Sequence, residues 1–558
     1  MAKPDEFVFL PLGGSGEIGM NLNLFGFGPE HNRKWIIVDI GVTFGDLTTP
    51  GIEIIMPDTE FIEEHVDNLL GIILTHAHED HMGALARLWP RLKCPVYATP
   101  FTMFLVKDRL SEFGILDDVE LHEMPLKSRF KIGPFDLEYV TITHSIPEPN
   151  GLAIGTPLGI VLHTGDWKID PDPQLGEPTD EAALSKLRDE GVLAMICDST
   201  NTFSPGYAGS EGDVRKELTK LIGEYAGRGV AVASFASNVA RLESVMMAAK
   251  AHDRVVCLVG RSMHRMVGAA RSVGILSGVP QIIEEDEAKN LPQEHVLYLC
   301  TGSQGEPRAA LSRIANGDHR NVSFRAGDVV IFSSKVIPGN EKGIFALQNA
   351  LADDGVHIVT EKDRAIHVSG HPKQGELKQM YDWVKPEISI PVHGERRHLL
   401  KQAELAKIWG VERVIAPHNG EMIRIAPNGP KVIDIVPSGR LHQDGNVIIR
   451  ADDNGLRLRR KMAYAGYVGI SLVYNSKGHI ISGPEPRISG FPEEQNSEHL
   501  DALLDDVADE AEKVFNSLSR NARSDEDVVE SKIRSSVKKR VKALTGKRTI
   551  VDITVHKV

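Results

Sequence analysis

The segment 71–85, GIILTHAHEDHMGAL, places four side chains that can ligate metals within six residues, directly after an apolar run. In an extended turn, His76 and His78 project to the same side of the chain. A helix starting near Asp80 turns Asp80 and His81 back toward them. Imidazole and carboxylate donors without a thiolate favour Zn²⁺, with Mn²⁺ or Mg²⁺ as alternatives. The spacing therefore predicts that one segment serves two divalent metal ions.

A glycine-rich segment near the start has the spacing of a dinucleotide-binding fingerprint. Gly14, Gly16 and Gly19 follow an apolar strand, and Asp39 lies 20 residues after Gly19. The fingerprint requires a helix after the glycines, with its N-terminus at the pyrophosphate. The residues that follow, MNLNLF, alternate as in a β-strand. We therefore predict a glycine-rich turn that joins two strands of a hairpin.

A large scaffold is available to position these residues. The 558 residues, 41% of them hydrophobic, predict more than one hydrophobic core. The apolar runs are shorter than a membrane helix and the N-terminus has no signal-peptide pattern, so we expect a soluble, cytoplasmic protein without a membrane partner. Four widely spaced cysteines in apolar strings predict buried free thiols.

The net charge of −14 argues at first against a nucleic-acid partner, because phosphate binding depends on Lys and Arg. The charge is unevenly distributed, however. Residues 484–530 carry 14 acidic and four basic side chains, whereas residues 531–548 carry eight basic and no acidic ones. The total charge is therefore a poor guide to any single surface.

The elements change in character along the chain. Residues 1–207 contain short apolar strands broken by Gly, Pro and Asp, which is typical of layered α/β sheets. Residues 208–369 alternate strands and helices, which predicts a parallel sheet with crossover helices. Residues 370–450 return to the first style, so the middle block is predicted to be an insertion in a domain that they complete. A linker, 451–464, then leads to a small α+β domain, 465–558.

The H-x-H-x-D-H pattern of residues 76–81 resembles the hallmark of the metallo-β-lactamase superfamily. The resemblance implies an αββα sandwich and further site residues at the ends of apolar runs. His144 in TITHSIP matches the third histidine of that family, and Asp166 in VLHTGDWK matches the carboxylate between the two metal ions. Asp39 in WIIVDIG matches an acid that steadies a ligand. His163 comes before the turn and is interpreted as structural.

An α/β insertion inside such a domain resembles the β-CASP nucleases. Their additional motifs match Asp198 in LAMICDST, His371 in HVSGHP and His393 in PVHGE. In that family a histidine at the last position accompanies RNA-processing members, so His393 favours RNA over DNA. The motifs GGSGEIGMN, HTGDWK and SFASN extend the resemblance over nearly the whole chain to the bacterial ribonuclease J family.

This resemblance implies a 5′-to-3′ exoribonuclease that also cuts internally and acts in RNA maturation and mRNA decay. The implied partner is single-stranded RNA, preferably 5′-monophosphorylated, and the implied reaction is attack on phosphorus by a hydroxide held between two metal ions. By analogy, Asp198 and His371 take acid–base roles. The two implied ligand sets are His76, His78 and His144, and Asp80, His81 and His393, with Asp166 shared.

The resemblance also implies two phosphate-binding turns. They comprise Ser234, Phe235, Ala236, Ser237 and Asn238, and His367, Val368, Ser369 and Gly370. Both turns follow strands and are rich in Gly or Ser, so that backbone N–H groups and hydroxyls can hold a phosphate. Arg261, Arg265 and Arg271 either line the RNA path or form a solvated helix face.

Weaker correspondences concern calcium and assembly. Gly51, Glu53 and Asp444 correspond to a structural calcium site of some family members. The tail resembles a dimerisation domain of the family, so a homodimer or homotetramer is expected. His418 in APHNGE resembles a ligand turn, but it matches no family role and is interpreted as structural.

Three other functions are weighed against this one. The main alternative is a metallo-hydrolase for small esters or thioesters, although such relatives are commonly shorter and lack the insertion. A second is a non-catalytic binding or scaffold protein, against which the complete ligand set argues. A third is DNA processing, which His393 disfavours.

Overall fold

The computed structural model describes residues 4–491 and 497–558. The chain forms two compact units. The first comprises the chain up to Thr43 together with Ile55–Arg440, and the second comprises Phe44–Ile54 with Leu441–Val558. Among the described residues, no helix combines the length and the apolar character needed to cross a membrane. All four cysteines are buried and free, which confirms that prediction.

Two mixed β-sheets form the framework of the first unit. Across the eight-stranded sheet the order is Lys431–Ile435, Glu421–Ala426, Glu6–Gly13, Leu22–Gly28, Lys34–Val38, Leu69–Ile73, Val96–Ala98 and Leu121–Glu123. Across the seven-stranded sheet it is Arg129–Ile132, Phe135–Thr141, Asn150–Thr156, Gly159–His163, Val192–Asp198, Ile388–Val392 and Arg413–Val414. A short parallel pair, Ser15–Gly16 with Gly394–Glu395, belongs to the same unit. The strands Thr43–Phe44 and Ile54–Pro57 each span a point in the sequence where the chain changes from one unit to the other.

The two sheets share one hydrophobic core. Phe9 and Phe25 of the eight-stranded sheet are buried together with Leu137, Ile154 and Ile390 of the seven-stranded sheet. Helices accompany this sandwich at Glu60–Glu63, Glu79–Met82, Leu85–Leu92, Pro100–Glu112, Glu181–Glu190, Gln374–Val384 and Arg396–Ile408, with 3₁₀ turns at Val66–Asn68 and Leu116–Asp118. The predicted αββα class is therefore confirmed.

The predicted hairpin near the start is confirmed as well. Strand Glu6–Gly13 pairs antiparallel with Leu22–Gly28. Gly14 has a φ of +80°, and a Cβ there would lie 2.3 Å from Asn21 Oδ1. The turn therefore requires glycine for its own geometry, and no helix follows it.

The middle of the chain folds as a separate sheet inserted between neighbouring strands of the sandwich. Val192–Asp198 pairs in parallel with Ile388–Val392, although the whole insertion lies between them in sequence. The inserted sheet is parallel throughout, in the order Ile282–Ile283, Val255–Val259, Val296–Cys300, Val230–Ala233, Val329–Phe332 and His357–Val359. Its helices are Glu211–Glu224, Val239–Ala251, Arg261–Ser272, Glu285–Ala288, Ala310–Ala315 and Glu341–Asp353, with a 3₁₀ turn at Gln293–His295. The expected parallel sheet with crossover helices is confirmed.

The second unit has its own small core. Strands Ile480–Ser489, Tyr467–Tyr474 and Ile550–Lys557 form a sheet, and helices Ser497–Ser517 and Glu526–Thr545 contribute Phe515 and Ile533 to the buried cluster. The unit also contains the hairpin strands Arg440–Asp444 and Val447–Arg450 and a 3₁₀ turn, Ala522–Ser524. Helix Asn454–Ala465 occupies most of the predicted linker 451–464, because Asp453 caps its first turn and Leu456 is buried.

Candidate metal centre

Strands that point in the same direction bring the predicted ligands to one edge of the sandwich. His76 and His78 follow Leu69–Ile73 of the eight-stranded sheet. Asp80 and His81 lie in the short helix Glu79–Met82 that comes next. The other three ligands follow strands of the seven-stranded sheet: His144 comes after Phe135–Thr141, Asp166 after Gly159–His163, and His393 after Ile388–Val392. Because carboxyl ends of parallel strands share an edge, residues distant in sequence meet there.

Three imidazoles form the first cluster. His78 Nδ1 lies 3.1 Å from His76 Nε2 and 3.1 Å from His144 Nε2. Nitrogen ligands of one tetrahedral Zn²⁺, each about 2.0–2.1 Å from the ion, are roughly 3.3 Å apart. The three nitrogens therefore have the spacing of ligands to a single ion.

The second cluster combines Asp80, His81, Asp166 and His393. His393 Nε2 lies 3.1 Å from Asp80 Oδ2, and His81 Nε2 lies 3.1 Å from Asp166 Oδ2. All four donor atoms lie within 4.8 Å of one another. Two carboxylates and two imidazoles suit a borderline divalent cation such as Zn²⁺ or Mn²⁺.

Asp166 lies between the clusters. Its Oδ2 atom is 3.1 Å from His81 Nε2 and 3.9 Å from His144 Nε2, so one carboxylate reaches both sets. Its Oδ1 atom is buried and accepts no hydrogen bond from the described part of the chain. An unsatisfied buried carboxylate oxygen is costly, and a cation would satisfy it. The residues present therefore fit a pair of divalent cations.

Hydrogen bonds on the far side of three imidazoles orient these ligands. Asp39 Oδ2 accepts from His81 Nδ1 at 2.7 Å, and the Gly370 carbonyl accepts from His144 Nδ1 at 2.6 Å. Thr200 Oγ1 lies 2.8 Å from His393 Nδ1. Each contact directs the Nε2 atom of its imidazole toward the centre, which is how such partners tune metal ligands.

Two of these residues occupy the left-handed backbone region. Asp39 has a φ of +65° and His393 a φ of +50°, which is uncommon for residues other than glycine and is typical of functional sites. The backbone N–H of His393 donates to the Gly14 carbonyl at 2.7 Å. The glycine-rich turn therefore helps to hold a metal ligand in a strained conformation.

The electrostatics of the metal-free site separate two groups of histidines. Burial lowers the pKa of His76 and His144 well below the usual value and that of His78 to about 4. These imidazoles are therefore neutral, the form that binds metal. For His393 burial acts in the same direction, but Asp166, Asp198 and Asp80 outweigh it and raise the pKa. A cation bound at the second cluster would replace this proton.

Beside the metal ligands, His371 and Asp198 form a pair. His371 Nδ1 lies 2.8 Å from Asp198 Oδ2, while Asp198 Oδ1 accepts from Thr200 N at 2.8 Å. Asp198 is buried, whereas the His371 side chain is 24% exposed. Burial opposes protonation of His371, but Asp198 and Asp166 raise its pKa above the usual value. The pair can therefore present a protonated imidazole to a substrate.

The two predicted phosphate-binding turns meet at a buried arginine. Asn238 caps helix Val239–Ala251 by accepting from Arg241 N at 3.0 Å, and Arg241 Nη1 donates to the Ile366 carbonyl at 3.1 Å. Ser369 Oγ accepts from Asn201 Nδ2 at 2.7 Å. In these turns, Ser234 and Asn238 are buried, and the partly buried residues are Phe235, Ala236, Ser237, His367, Val368, Ser369 and Gly370.

Several predicted residues lie outside the two clusters. His163 is buried, its Nδ1 accepts from Gly165 N at 3.1 Å, and burial lowers its pKa to about 4. His418 is exposed, and its backbone N–H donates to Glu421. Neither belongs to the described metal clusters, in agreement with a structural role.

The suggested calcium site contains an ion pair. Asp444 Oδ1 accepts from Arg459 Nη1 at 3.0 Å, and Gly51 lies next to the same guanidinium. Calcium binding by Gly51, Glu53 and Asp444 would therefore have to displace Arg459. This site stays a prediction.

Sequence reasoning missed several partners of the site. Thr200 directly follows the CDS segment, and Thr75 donates to Asp39 through both its backbone N–H and its hydroxyl at 2.8 Å. Both threonines lie next to motifs identified in the sequence, so their position in the sequence could have indicated a role at the site. No sequence signal pointed to the Gly370 carbonyl or to Arg241, because neither a backbone oxygen nor an arginine within a helix has a distinctive sequence pattern.

Paired sheets that carry histidine and aspartate clusters at their common edge define a metallo-hydrolase of the β-lactamase type. Four family models match the chain. They are "Beta-lactamase superfamily domain" at residues 34–185, "Ribonuclease J, beta-CASP domain" at 227–351, "Zn-dependent metallo-hydrolase RNA specificity domain" at 355–417 and "Ribonuclease J C-terminal domain" at 455–558.

Relatives match over nearly the full length. Ribonuclease J of Sinorhizobium meliloti is 45% identical over 100% of this chain and 98% of its own. Ribonuclease J of Corynebacterium glutamicum is 38% identical over 98% of this chain and 75% of its own. A crystal structure of an Enterococcus faecalis protein of unknown function covers 75% of this chain and 100% of its own, with a TM-score of 0.53 and 17% identity, and supports the fold alone. The chain belongs to the ribonuclease J family.

Proposed function

We propose that the chain is a metal-dependent ribonuclease that degrades single-stranded RNA from its 5′ end and also cuts it internally, in RNA maturation and mRNA decay. One observation carries the proposal: seven donors, five of them buried, form two adjoining clusters on either side of Asp166, directly beside the His371–Asp198 pair. Family membership and the inserted domain favour this function over hydrolysis of small esters or thioesters.

The donor set suits two Zn²⁺ ions, with Mn²⁺ or Mg²⁺ as alternatives. When bound, the ions supply Lewis acidity and lower the pKa of water for attack on phosphorus. His76, His78 and His144 would hold one ion, and Asp80, His81 and His393 would hold the other, with Asp166 available to both. Asp39, Thr200 and the Gly370 carbonyl keep the ligands oriented.

His371 acts as general acid. Its protonated imidazole donates to the departing 3′-oxygen, for which a pKa near or above neutral is suitable. Asp198 acts through His371 by accepting from Nδ1 and keeping the ring in place. Because Ser369 and Gly370 directly precede His371, a 5′-phosphate held at this turn would lie close to the bond to be cut. This arrangement supports a preference for 5′-monophosphorylated ends and the release of mononucleotides.

The assembly and the location are proposed by analogy with the family. The second unit matches the C-terminal domain model of ribonuclease J and is proposed to form a homodimer or homotetramer. Four buried free thiols support a reducing compartment, and the cytoplasm supplies the proposed RNA substrates.

The decisive experiment compares labelled substrates with and without chelator. The substrates are 5′-monophosphorylated RNA, the 5′-triphosphorylated form, single-stranded DNA and a chromogenic lactone. We expect mononucleotide release from monophosphorylated RNA, abolished by chelation and by His76→Ala. Faster turnover of the lactone, or RNA cleavage indifferent to chelator, would contradict the proposal.

A further inference from the structure

A second concave site lies in the inserted domain, and its lining contains none of the metal ligands. A cavity of about 970 Å³ opens beside Gly260 and Thr301, which follow strands Val255–Val259 and Val296–Cys300. These two strands are parallel neighbours. In open α/β sheets, ligands bind outside the carboxyl ends of strands, where this cavity lies.

The cavity wall is strongly basic, although the chain as a whole carries a net charge of −14. Five arginines line the cavity, against two acidic residues, Glu285 and Glu306. The arginines are Arg261, Arg265, Arg308, Arg313 and Arg320. A guanidinium presents a planar fork of N–H donors that matches two phosphate oxygens. An excess of arginine in a concave site therefore selects for phosphoryl groups.

Part of this lining is already held by protein contacts, and part is available. Arg265 pairs with Asp108 at 3.1 Å and also contacts Glu112. Arg313 Nη2 donates to the Asp318 carbonyl at 3.3 Å. Arg261 and Arg320 have no carboxylate within 4.0 Å among the residues that the structure describes, although the charge of Arg320 contributes, after that of Lys289, to a lowered pKa of Asp286. The fixed side chains thus shape the wall, while these two guanidiniums can contact a ligand.

The acidic side chain of Glu285 is also engaged. Its Oε2 atom accepts from Asn321 Nδ2 at 3.2 Å, and Oε1 lies 4.0 Å from His319 Nε2. His319 Nδ1 in turn accepts from Val322 N at 3.2 Å. This carboxylate is therefore held in a local hydrogen-bond network. It repels an anionic ligand less than a carboxylate without these partners would.

We propose that this cavity binds a phosphorylated nucleotide through two phosphoryl groups, at a site separate from the metal centre. The volume exceeds what one inorganic phosphate fills and lies within the range of small-molecule sites. The same chemistry is present in a free nucleoside diphosphate and in two consecutive nucleotides of an RNA strand. The inference goes beyond the proposed ribonuclease reaction, because binding here requires neither metal nor cleavage.

The first test measures binding of radiolabelled ADP by equilibrium dialysis in EDTA, which removes any contribution of metal ions. The variants are Arg261→Glu/Arg320→Glu and the control Lys220→Glu, which reverses an exposed charge on helix Glu211–Glu224, outside the cavity lining. Thermal unfolding checks that both variants fold. We expect the double variant to lose at least tenfold in affinity and the control to match the wild type.

A second arm distinguishes the two sources of the ligand. It measures the affinity of the same proteins, again in EDTA, for a fluorescent single-stranded RNA with a 5′-hydroxyl, at several salt concentrations. A selective tenfold loss for ADP assigns the site to free nucleotides. A selective loss for RNA, with a smaller salt slope, assigns it to the RNA strand. If the double variant binds both probes as tightly as the Lys220→Glu control does, the proposal is overturned whatever the nuclease assay gives.

Discussion

Arg241 and Glu211 form a bidentate ion pair inside the inserted domain. The Nη2–Oε1 distance is 2.9 Å and the Nε–Oε2 distance is 3.0 Å, with the two side chains 0% and 2% exposed. The same guanidinium donates to the carbonyls of Ser333 and Ile366. One buried cation therefore joins the turn that ends at Asn238 to the turn that leads to His371.

Replacement of this cation should be strongly destabilising. Arg241→Met leaves the Glu211 carboxylate buried without its partner, which typically costs about 3–5 kcal/mol of unfolding free energy. Urea unfolding measures the effect. The matched variant Arg241→Met/Glu211→Leu removes both charges and should recover part of the loss. Equal stability of the wild type and Arg241→Met would refute the structural role of the pair.

Gly370 should be required for metal binding. A Cβ at this position would lie 2.8 Å from His144 Cε1 and 2.8 Å from Ser145 Oγ, so Gly370→Ala must displace the imidazole. We expect metal affinity to fall about 10–100-fold, as for loss of a supporting contact. Metal content after dialysis against graded chelator measures it. Gly268→Ala is the control, because a Cβ there meets open space; a similar loss in both variants would count against the explanation.

The two clusters should lose metal separately. His76→Ala removes a donor from the first cluster and leaves Asp80, His81, Asp166 and His393 in place. Native mass spectrometry is expected to show two ions on the wild type and one on the variant. Retention of both ions by His76→Ala would show that this imidazole is not a ligand.

Asp198→Asn should shift the pH profile of the reaction. Although burial opposes it, the Asp198 carboxylate raises the pKa of His371, so the wild type keeps the acid form at higher pH. Without that charge the pKa falls, and kcat should begin to decline at lower pH than in the wild type. His371→Ala should lower kcat by a factor of about 10²–10⁴ and abolish the decline of kcat at high pH. An unchanged profile in Asp198→Asn would exclude His371 as the acid.

The sequence predicted the parts of the site that local spacing encodes. His76, His78, Asp80 and His81 lie within one turn, so their convergence follows from residue types alone. Asp39, by contrast, was assigned through family resemblance, and its contact with His81 spans 42 positions. The inserted parallel sheet was also predictable, because strand and helix periodicities alternate regularly there.

Other contacts could not be predicted, because they join distant segments through atoms without a sequence signal. The Gly370 carbonyl reaches His144 across 226 positions, and any residue supplies a carbonyl. Arg241 is buried on a helix where arginine usually faces solvent. Helix Asn454–Ala465 was predicted as a linker, because its charged residues mask a short buried stripe.

The pairing of Asp80 with His393 spans 313 positions, so the order of synthesis matters. A chain still emerging from the ribosome carries the H-x-H-x-D-H segment long before the strand that presents His393 has been made. Until then the second cluster lacks a donor and His371, too, is absent or newly added. A nascent chain that ends before His393 therefore cannot complete the second cluster of the metal centre.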